Sequence, residues 1–360
     1  MERLKNSVPP KQAWCTQSKV KMEFVNLGKS GLKVSKIILG GMSFGSKSWR
    51  DWVLEDEEEV FKILKHAYDN GIRTWDTANM YSNGESERLI GKFLKKYNIP
   101  RSSVVILTKG FMPIDDDERL ADDKFKYINR QGLSRKHLFD AVEASVERLG
   151  TYIDVYQIHR LDRDTPKEEI MEALHDLVKS GKVRYIGAST MRATEFAQLQ
   201  FIAEKNGWTK FISMQNYHNL IYREEEREMI PFCKETGVGL IPWSPIGRGV
   251  LARPSRDRNA TNRAKTDDWV RDSTSVMDIG TSDNSKAIID RVEEVAKKRG
   301  VSMAAVAIAW SLSKGMIPIV GFSGTHRVDD ALKALEFNLS EEESTYLEEL
   351  YQPVPVQGWL

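Results

Sequence analysis

Asp76, Tyr81, Lys109 and His159 each stand at or just past the end of a short apolar run that reads as a β-strand. Ile72–Trp75 leads to Asp76, Val104–Thr108 to Lys109 and Ile153–Ile158 to His159, with Tyr81 on the loop after the first run. Aspartate and lysine side chains are costly to bury unless they are paired. An Asp76/Lys109 pair behind β-branched runs would therefore tune a neighbour, and Tyr81 is the neighbour worth tuning. Such a pair taken alone is more often a structural ion pair; Tyr81 and His159 at matching positions turn the reading toward chemistry. In a parallel barrel, strand ends of this kind converge on one catalytic face.

The elements that must position these residues alternate between apolar runs and amphipathic segments, the pattern of an α/β chain with a parallel sheet. Phe24–Asn26 and Leu32–Val34, joined by the turn Gly28–Gly31, form a hairpin that could plug a barrel floor. Ile37–Leu39 is the first barrel strand, followed by a helix over Glu57–Asn70 that stops at Gly71. The acidic run Glu55–Glu59 suits that helix start. Helices follow over Glu85–Tyr97 and over Arg135–Leu149, capped by Ser134; another starts at Thr165–Pro166, with proline at the first helical position. Val183–Ala188, Phe211–Met214, Val238–Pro242 and Ile317–Val320 supply the last strands, with helices at Thr194–Asn206, Glu224–Glu235 and Ser302–Leu312. Eight strands match a closed (β/α)8 TIM barrel. Met112–Gln131 and Ala252–Asp283 lack periodicity and read as excursions from the catalytic face. With the tail Tyr351–Leu360, they would shape the pocket.

Composition narrows the function classes. With 53 basic and 52 acidic residues the net charge is +1, which gives no reason to expect nucleic-acid or membrane partners. No apolar stretch is long enough to span a bilayer. The two cysteines, Cys15 and Cys233, lack metal-ligand spacing and fit a reducing, cytoplasmic setting. The histidines show no metal spacing either, and His66, His137 and His175 read as helix-surface residues. Residues 1–21 are polar, with no signal-peptide core, and read as a disordered extension before a single domain over residues 22–360. A G-x-G-x-x-G loop after the first strand is absent, which argues against a Rossmann dehydrogenase.

The run from Asp76 through Tyr81 to Glu87, D-T-A-N-M-Y-S-N-G-E-S-E, matches the D-T-A-x-x-Y-x-x-G-x-S-E signature of the aldo-keto reductases. Thr108-Lys109 and Gln157-Ile158-His159 fall where that family's lysine and histidine belong. The chain thus resembles the aldo-keto reductase family from about Phe24 to Asn338, most closely its fungal aryl-alcohol dehydrogenase-like members. The resemblance implies reduction of an aldehyde or ketone to an alcohol by hydride from NADPH, with Tyr81 giving the proton. An ordinary tyrosine, with a pKa of about 10, is a reluctant acid at neutral pH. Lys109, held as a cation by Asp76, would favour its phenolate, and His159 would orient the carbonyl oxygen.

The resemblance also implies cofactor residues. Gly41 and Met42 follow the first strand, and Asp76 borders the nicotinamide. Ser189, Thr190 and Gln215 would hold its carboxamide, with Thr190 standing where the family usually has asparagine. Trp243 would stack on the nicotinamide, with Ser244 and Pro245 beside it, while Ile246, Gly247, Arg248 and Gly249 would cover the pyrophosphate. Gly321, Phe322, Ser323, Thr325 and Arg327 would read an adenosine 2′-phosphate, and Asp330 would bind adenine. Gly321 and Ala331 depart from the lysine and asparagine that other members carry. Trp49 and Trp52, in a polar loop, would wall the substrate pocket or cover the barrel rim. Two rival functions stay open, a Schiff-base aldolase using Lys109 and a cofactor-binding regulatory subunit with little turnover.

Overall fold

The computed structural model describes residues 22–115, 124–267 and 280–358. The expected extension 1–21, the middle of both excursions and the last two tail residues lie outside the described residues.

Strands β1 (Phe24–Asn26) and β2 (Lys33–Ser35) pair antiparallel. Their turn places Gly28 at φ +59°, where an added Cβ would lie 2.4 Å from the Gly237 carbonyl oxygen. Only glycine accepts both that backbone and that approach. The hairpin's Leu27 and Val34 pack with Ile38, Leu107, Val155, Ile241 and Ile317, so it closes the floor of the barrel.

The barrel strands are β3 (Ile38–Gly40), β4 (Thr74–Asp76), β5 (Val105–Gly110), β6 (Ile153–Ile158), β7 (Val183–Ser189), β8 (Phe211–Gln215), β9 (Gly239–Leu240) and β10 (Ile319–Gly321). They run parallel in the order β10-β3-β4-β5-β6-β7-β8-β9. Ile317 N donates to Leu240 O at 2.9 Å and Ile319 N to Pro242 O at 3.0 Å, which joins the two ends of the sheet into a ring. This is the expected α/β barrel.

Helices α1 (Glu57–Asp69), α2 (Glu85–Lys96), α3 (Arg135–Leu149), α4 (Lys167–Lys179), α5 (Ala193–Asn206) and α6 (Met229–Thr236) surround it. After a short α7 (Asn262–Thr266) come α8 (Asp283–Arg299), α9 (Met303–Ser313), α10 (Thr325–Lys333) and α11 (Glu341–Glu348). Asp56 caps α1 by accepting from Glu59 N, and Ser134 caps α3 by accepting from His137 N. Helices α8, α10 and α11 were not expected from periodicity.

Three local expectations are corrected. Pro166 is the N-cap of α4, extended at ψ 133°, with its carbonyl accepting the first helical bond from Ile170 N. The helix expected over Glu224–Glu235 divides into a 3-10 turn, Glu224–Glu226, and α6, because Pro231 lacks an N–H and is tolerated only in a first turn. His137 is buried rather than on the surface, since the third position of α3 faces inward with Leu138 and Ala141.

Candidate active site

The parallel register sets the site. Asp76 ends β4, Lys109 lies in β5 opposite Gln157 of β6, and Ser189 of β7 pairs with Gln215 of β8. A Cβ at Gly187 would meet Gln157 Cγ at 3.0 Å and Ser213 Oγ at 2.5 Å, so this glycine makes room for Gln157 to point inward.

Lys109 Nζ donates to Asp76 Oδ2 at 2.7 Å, to Thr77 O at 2.8 Å and to the Tyr81 hydroxyl at 3.4 Å. Asp76 Oδ1 accepts from Gln157 Nε2 and from Gln215 Nε2, each at 2.9 Å. Both partners of the ion pair are buried. Burial pulls the Lys109 pKa down, but the Asp76 carboxylate and the Tyr81 oxygen outweigh it and hold the ammonium above its ordinary value. His159 stands edge-on to Tyr81, ring centroids 6.0 Å apart at 83°. Burial first, then the charges of Lys109 and Arg160, push its pKa well below the usual imidazole value. His159 is therefore neutral at pH 7, and its Nδ1 is buried without a partner.

The signature run braces this group. Ser86 Oγ donates to Gly41 O at 2.9 Å, and a Cβ at Gly41 would clash with that hydroxyl at 2.9 Å. Glu87, fully buried, accepts from Thr108 Oγ1 at 2.5 Å and from Arg148 Nε at 2.6 Å. Asn83 hydrogen-bonds Asp115 N at 3.0 Å and so fastens the Tyr81 loop to the segment after β5.

A cavity of about 700 Å³ opens over the strand ends. Asp76, Tyr81 and His159 line it, and Lys109 sits behind them. Met42, Ser189, Gln215, Trp243, Ser244, Pro245, Ile246, Arg248 and Gly249 also line it, as do Gly321, Phe322, Ser323, Arg327 and Asp330. Gly41, Thr190, Gly247 and Thr325 are not on its wall. Trp52 is on the wall; Trp49 is not, but its ring lies 6.2 Å from Tyr81 and 6.3 Å from Trp52.

Two of the expected cofactor residues also have partners within the protein. Trp243 stacks on Tyr217, centroids 4.4 Å apart, so one face of its ring is already covered, and its Nε1 donates to Thr190 Oγ1 at 3.0 Å. Gln215 donates its amide hydrogens to Asp76 and to Gln157, leaving Oε1 as its acceptor. Thr190 at φ +40° and Ser244 at φ +54° hold left-handed backbones at strand ends beside the cavity, strain of the kind that collects at functional sites.

Sequence reasoning missed Gln157 as a partner of Asp76, although the residue stood in the run quoted with His159. It also missed Arg160, Arg253 and Arg263, which line the cavity. Arg263 lies over the Trp52 ring at 4.1 Å and shares Asp267 with Arg248. Burial, and then the like charge of Arg327, lower the Arg253 pKa. Two repelling arginines at the β10 end of one cavity suit a doubly charged phosphate.

Comparison with known proteins agrees with this architecture. The model of the aldo/keto reductase family matches residues 36–352. The chain is 61% identical over 344 residues to "Putative aryl-alcohol dehydrogenase C977.14c" of Schizosaccharomyces pombe, covering 92% of this chain and 96% of that protein. It is 59% identical over 340 residues to versiconal hemiacetal acetate reductase of Aspergillus parasiticus, covering 92% of this chain and 98% of that protein. Aldo-keto reductase dtxS3 of Metarhizium robertsii is 52% identical over 363 residues, with 95% and 94% covered. With an eight-stranded barrel, the D-T-A-x-x-Y signature at its strand ends and a match over most of its length, this chain belongs to the aldo/keto reductase family, oxidoreductases that work with a nicotinamide cofactor.

Proposed function

We propose that the protein reduces an aldehyde or ketone, preferably an aromatic aldehyde, to the alcohol with NADPH, and that Tyr81 supplies the proton. One observation carries this reading: the Lys109 ammonium touches both the Asp76 carboxylate and the Tyr81 hydroxyl, at the edge of a cavity large enough for cofactor and substrate together.

The residues present fit the cofactor. Gln215 Oε1 and the Ser189 hydroxyl would meet the carboxamide, and Arg253 and Arg327 would meet the 2′-phosphate. When bound, reduced nicotinamide supplies a hydride equivalent to the carbonyl carbon. The protein's own groups manage charge and proton. The carbonyl π pair moves onto oxygen, which takes the Tyr81 proton, and the nearby Lys109 cation stabilises the tyrosinate left behind. Neutral His159 donates a hydrogen bond to the same oxygen and fixes its direction. A dry, preorganised setting of this kind strengthens each of these interactions.

The aldolase reading of Lys109 loses support, since its ammonium is occupied by Asp76, Thr77 and Tyr81 and held protonated; a nucleophilic amine must be free base. The aromatic preference rests on Trp52, Met80 and Met112 along the wall beside Tyr81, together with the names of the relatives. A reducing, cytoplasmic setting fits Cys233, buried and unpaired.

The test is decay of reduced-nicotinamide absorbance with purified protein, 4-nitrobenzaldehyde, and NADPH or NADH in parallel. Decay with NADPH alone is expected. Equal decay with NADH would discard the 2′-phosphate site, and no decay across several aldehydes would leave a cofactor-binding regulatory subunit as the better reading.

A further inference from the structure

Five arginines line the cavity wall: Arg160, Arg248, Arg253, Arg263 and Arg327. Arg248 and Arg263 both meet the Asp267 carboxylate, at 3.3 and 3.0 Å. Arg253 and Arg327 stand at the proposed phosphate end. Arg160 belongs to neither group. It follows His159 directly, so it hangs beside the reacting residues, and it lines the cavity with Tyr81. Its Nη1 donates to the His159 carbonyl at 2.6 Å. Among the described residues no carboxylate lies within ion-pair distance of Arg160, and no protein acceptor takes its Nε or Nη2. Burial lowers its pKa to about 10, opposed only by the Tyr81 oxygen.

A guanidinium set in a protein wall without a counter-ion is costly, and arginine is rarely left so. Its planar fork matches a carboxylate in two parallel hydrogen bonds. The acidic groups on the same wall do not meet this need. Asp76 is held by Lys109, Asp330 lies 3.8 Å from Arg327, and Asp51 is exposed at the rim. The same wall is apolar at Trp52, Met80 and Met112.

We propose that Arg160 receives an anionic carboxylate on the substrate, so that the preferred substrates are aromatic aldehydes carrying a carboxylate on the ring. This rests on the reduction reading: the carbonyl lies between Tyr81 and His159, the ring against the apolar wall, and the carboxylate on the Arg160 fork. The carboxylate takes no part in the chemistry and leaves unchanged on the alcohol.

The experiment compares 3- and 4-carboxybenzaldehyde with their methyl esters in the full chain and in Arg160→Gln and Arg160→Lys. Calorimetric titration of benzoate and of benzamide, with oxidised NADP present, runs alongside. The wild type is expected to show a KM at least about 10-fold lower for a free acid than for its ester, as a charge-assisted bidentate contact implies. That ratio collapses toward one in Arg160→Gln and partly recovers in Arg160→Lys. Because it is taken within one enzyme, losses common to both substrates cancel. Benzoate binding should weaken by a similar factor in Arg160→Gln. Esters reduced as well as acids by the wild type, or a preference that survives Arg160→Gln, overturns the proposal while leaving reduction standing. If no aldehyde is reduced, the reduction reading falls and the titration decides: benzoate bound by the wild type and lost in Arg160→Gln sustains the anion site, and benzoate bound by neither overturns it.

Discussion

The Lys109 ammonium lies 2.7 Å from an Asp76 carboxylate oxygen, with side-chain exposures of 0% and 3%. A pair shielded to this degree keeps its charges only because each stabilises the other and because Gln157, Gln215 and Thr77 satisfy the remaining lone pairs and protons.

Asp76→Asn keeps the shape and removes the anion. The buried ammonium then lacks its counter-charge, a loss of about 3–5 kcal/mol for a pair broken on one side. A urea titration would read this as a lower midpoint at unchanged slope; an unchanged midpoint would show that the pair is not buried as described.

Tyr81→Phe removes one oxygen from the cavity and the 3.4 Å contact it makes with Lys109 Nζ, while the Asp76 and Thr77 contacts of Lys109 stay in place. If Tyr81 is the general acid, turnover falls by about 10²–10⁴-fold, while binding of reduced cofactor, followed by fluorescence, persists. Turnover at the wild-type rate would end the proton-donor assignment.

Arg327→Gln tests the phosphate end. NADPH affinity should drop about 10- to 100-fold, with little change for NADH, since a charge-assisted pair to phosphate is removed and the rest of the nucleotide is not. Equal losses for both cofactors would place Arg327 elsewhere on the nucleotide.

Three histidines, His137, His159 and His218, have pKa values lowered from 6.5, in each case chiefly by burial. Well above pH 6.5 they are neutral in both folded and unfolded chains. As the pH falls below that value the unfolded chain takes up protons that the folded chain refuses, so stability is lost on acidification toward the lowered folded values. The urea midpoint should fall between pH 7 and pH 5. His137→Leu, which also removes a buried and unpartnered Nε2, should make that fall shallower; an unaltered slope would exclude His137 as a contributor.

Gly28→Ala tests the floor of the barrel. The left-handed φ of +59° and a Cβ position 2.4 Å from Gly237 O force the hairpin to move, at a cost of about 1–3 kcal/mol. Thermal unfolding would show it, and a melting temperature within a degree of wild type would mean that the hairpin does not bear on the barrel.

Much of this protein is legible along the chain. Ile153–Ile158 and Arg135–Leu149 are elements with the bounds their residues suggest, because continuous apolar runs and a serine cap are local signals. Helix α8 went unread although Ile288, Ile289, Val292, Val295 and Ala296 keep helical spacing, because its sequence, DNSKAIIDRVEEVAKKR, is dominated by charge. Strand β9 holds two residues in ladder form, since Leu240 and Pro242 give their carbonyls to barrel closure.

Sequence alone determined the chemistry on offer: an aspartate, a tyrosine, a lysine and a histidine at strand ends, and the signature that joins the first two. Only the tertiary structure decided their company. Gln215 reaches Asp76 across 139 residues of chain, Arg253 and Arg160 enter the same cavity from segments without periodicity, and Trp243 turns a face to Tyr217. Periodicity reports which side of an element is buried. Which residues then meet depends on register, barrel closure and the path of the loops, and these are settled by contacts between distant parts of the chain.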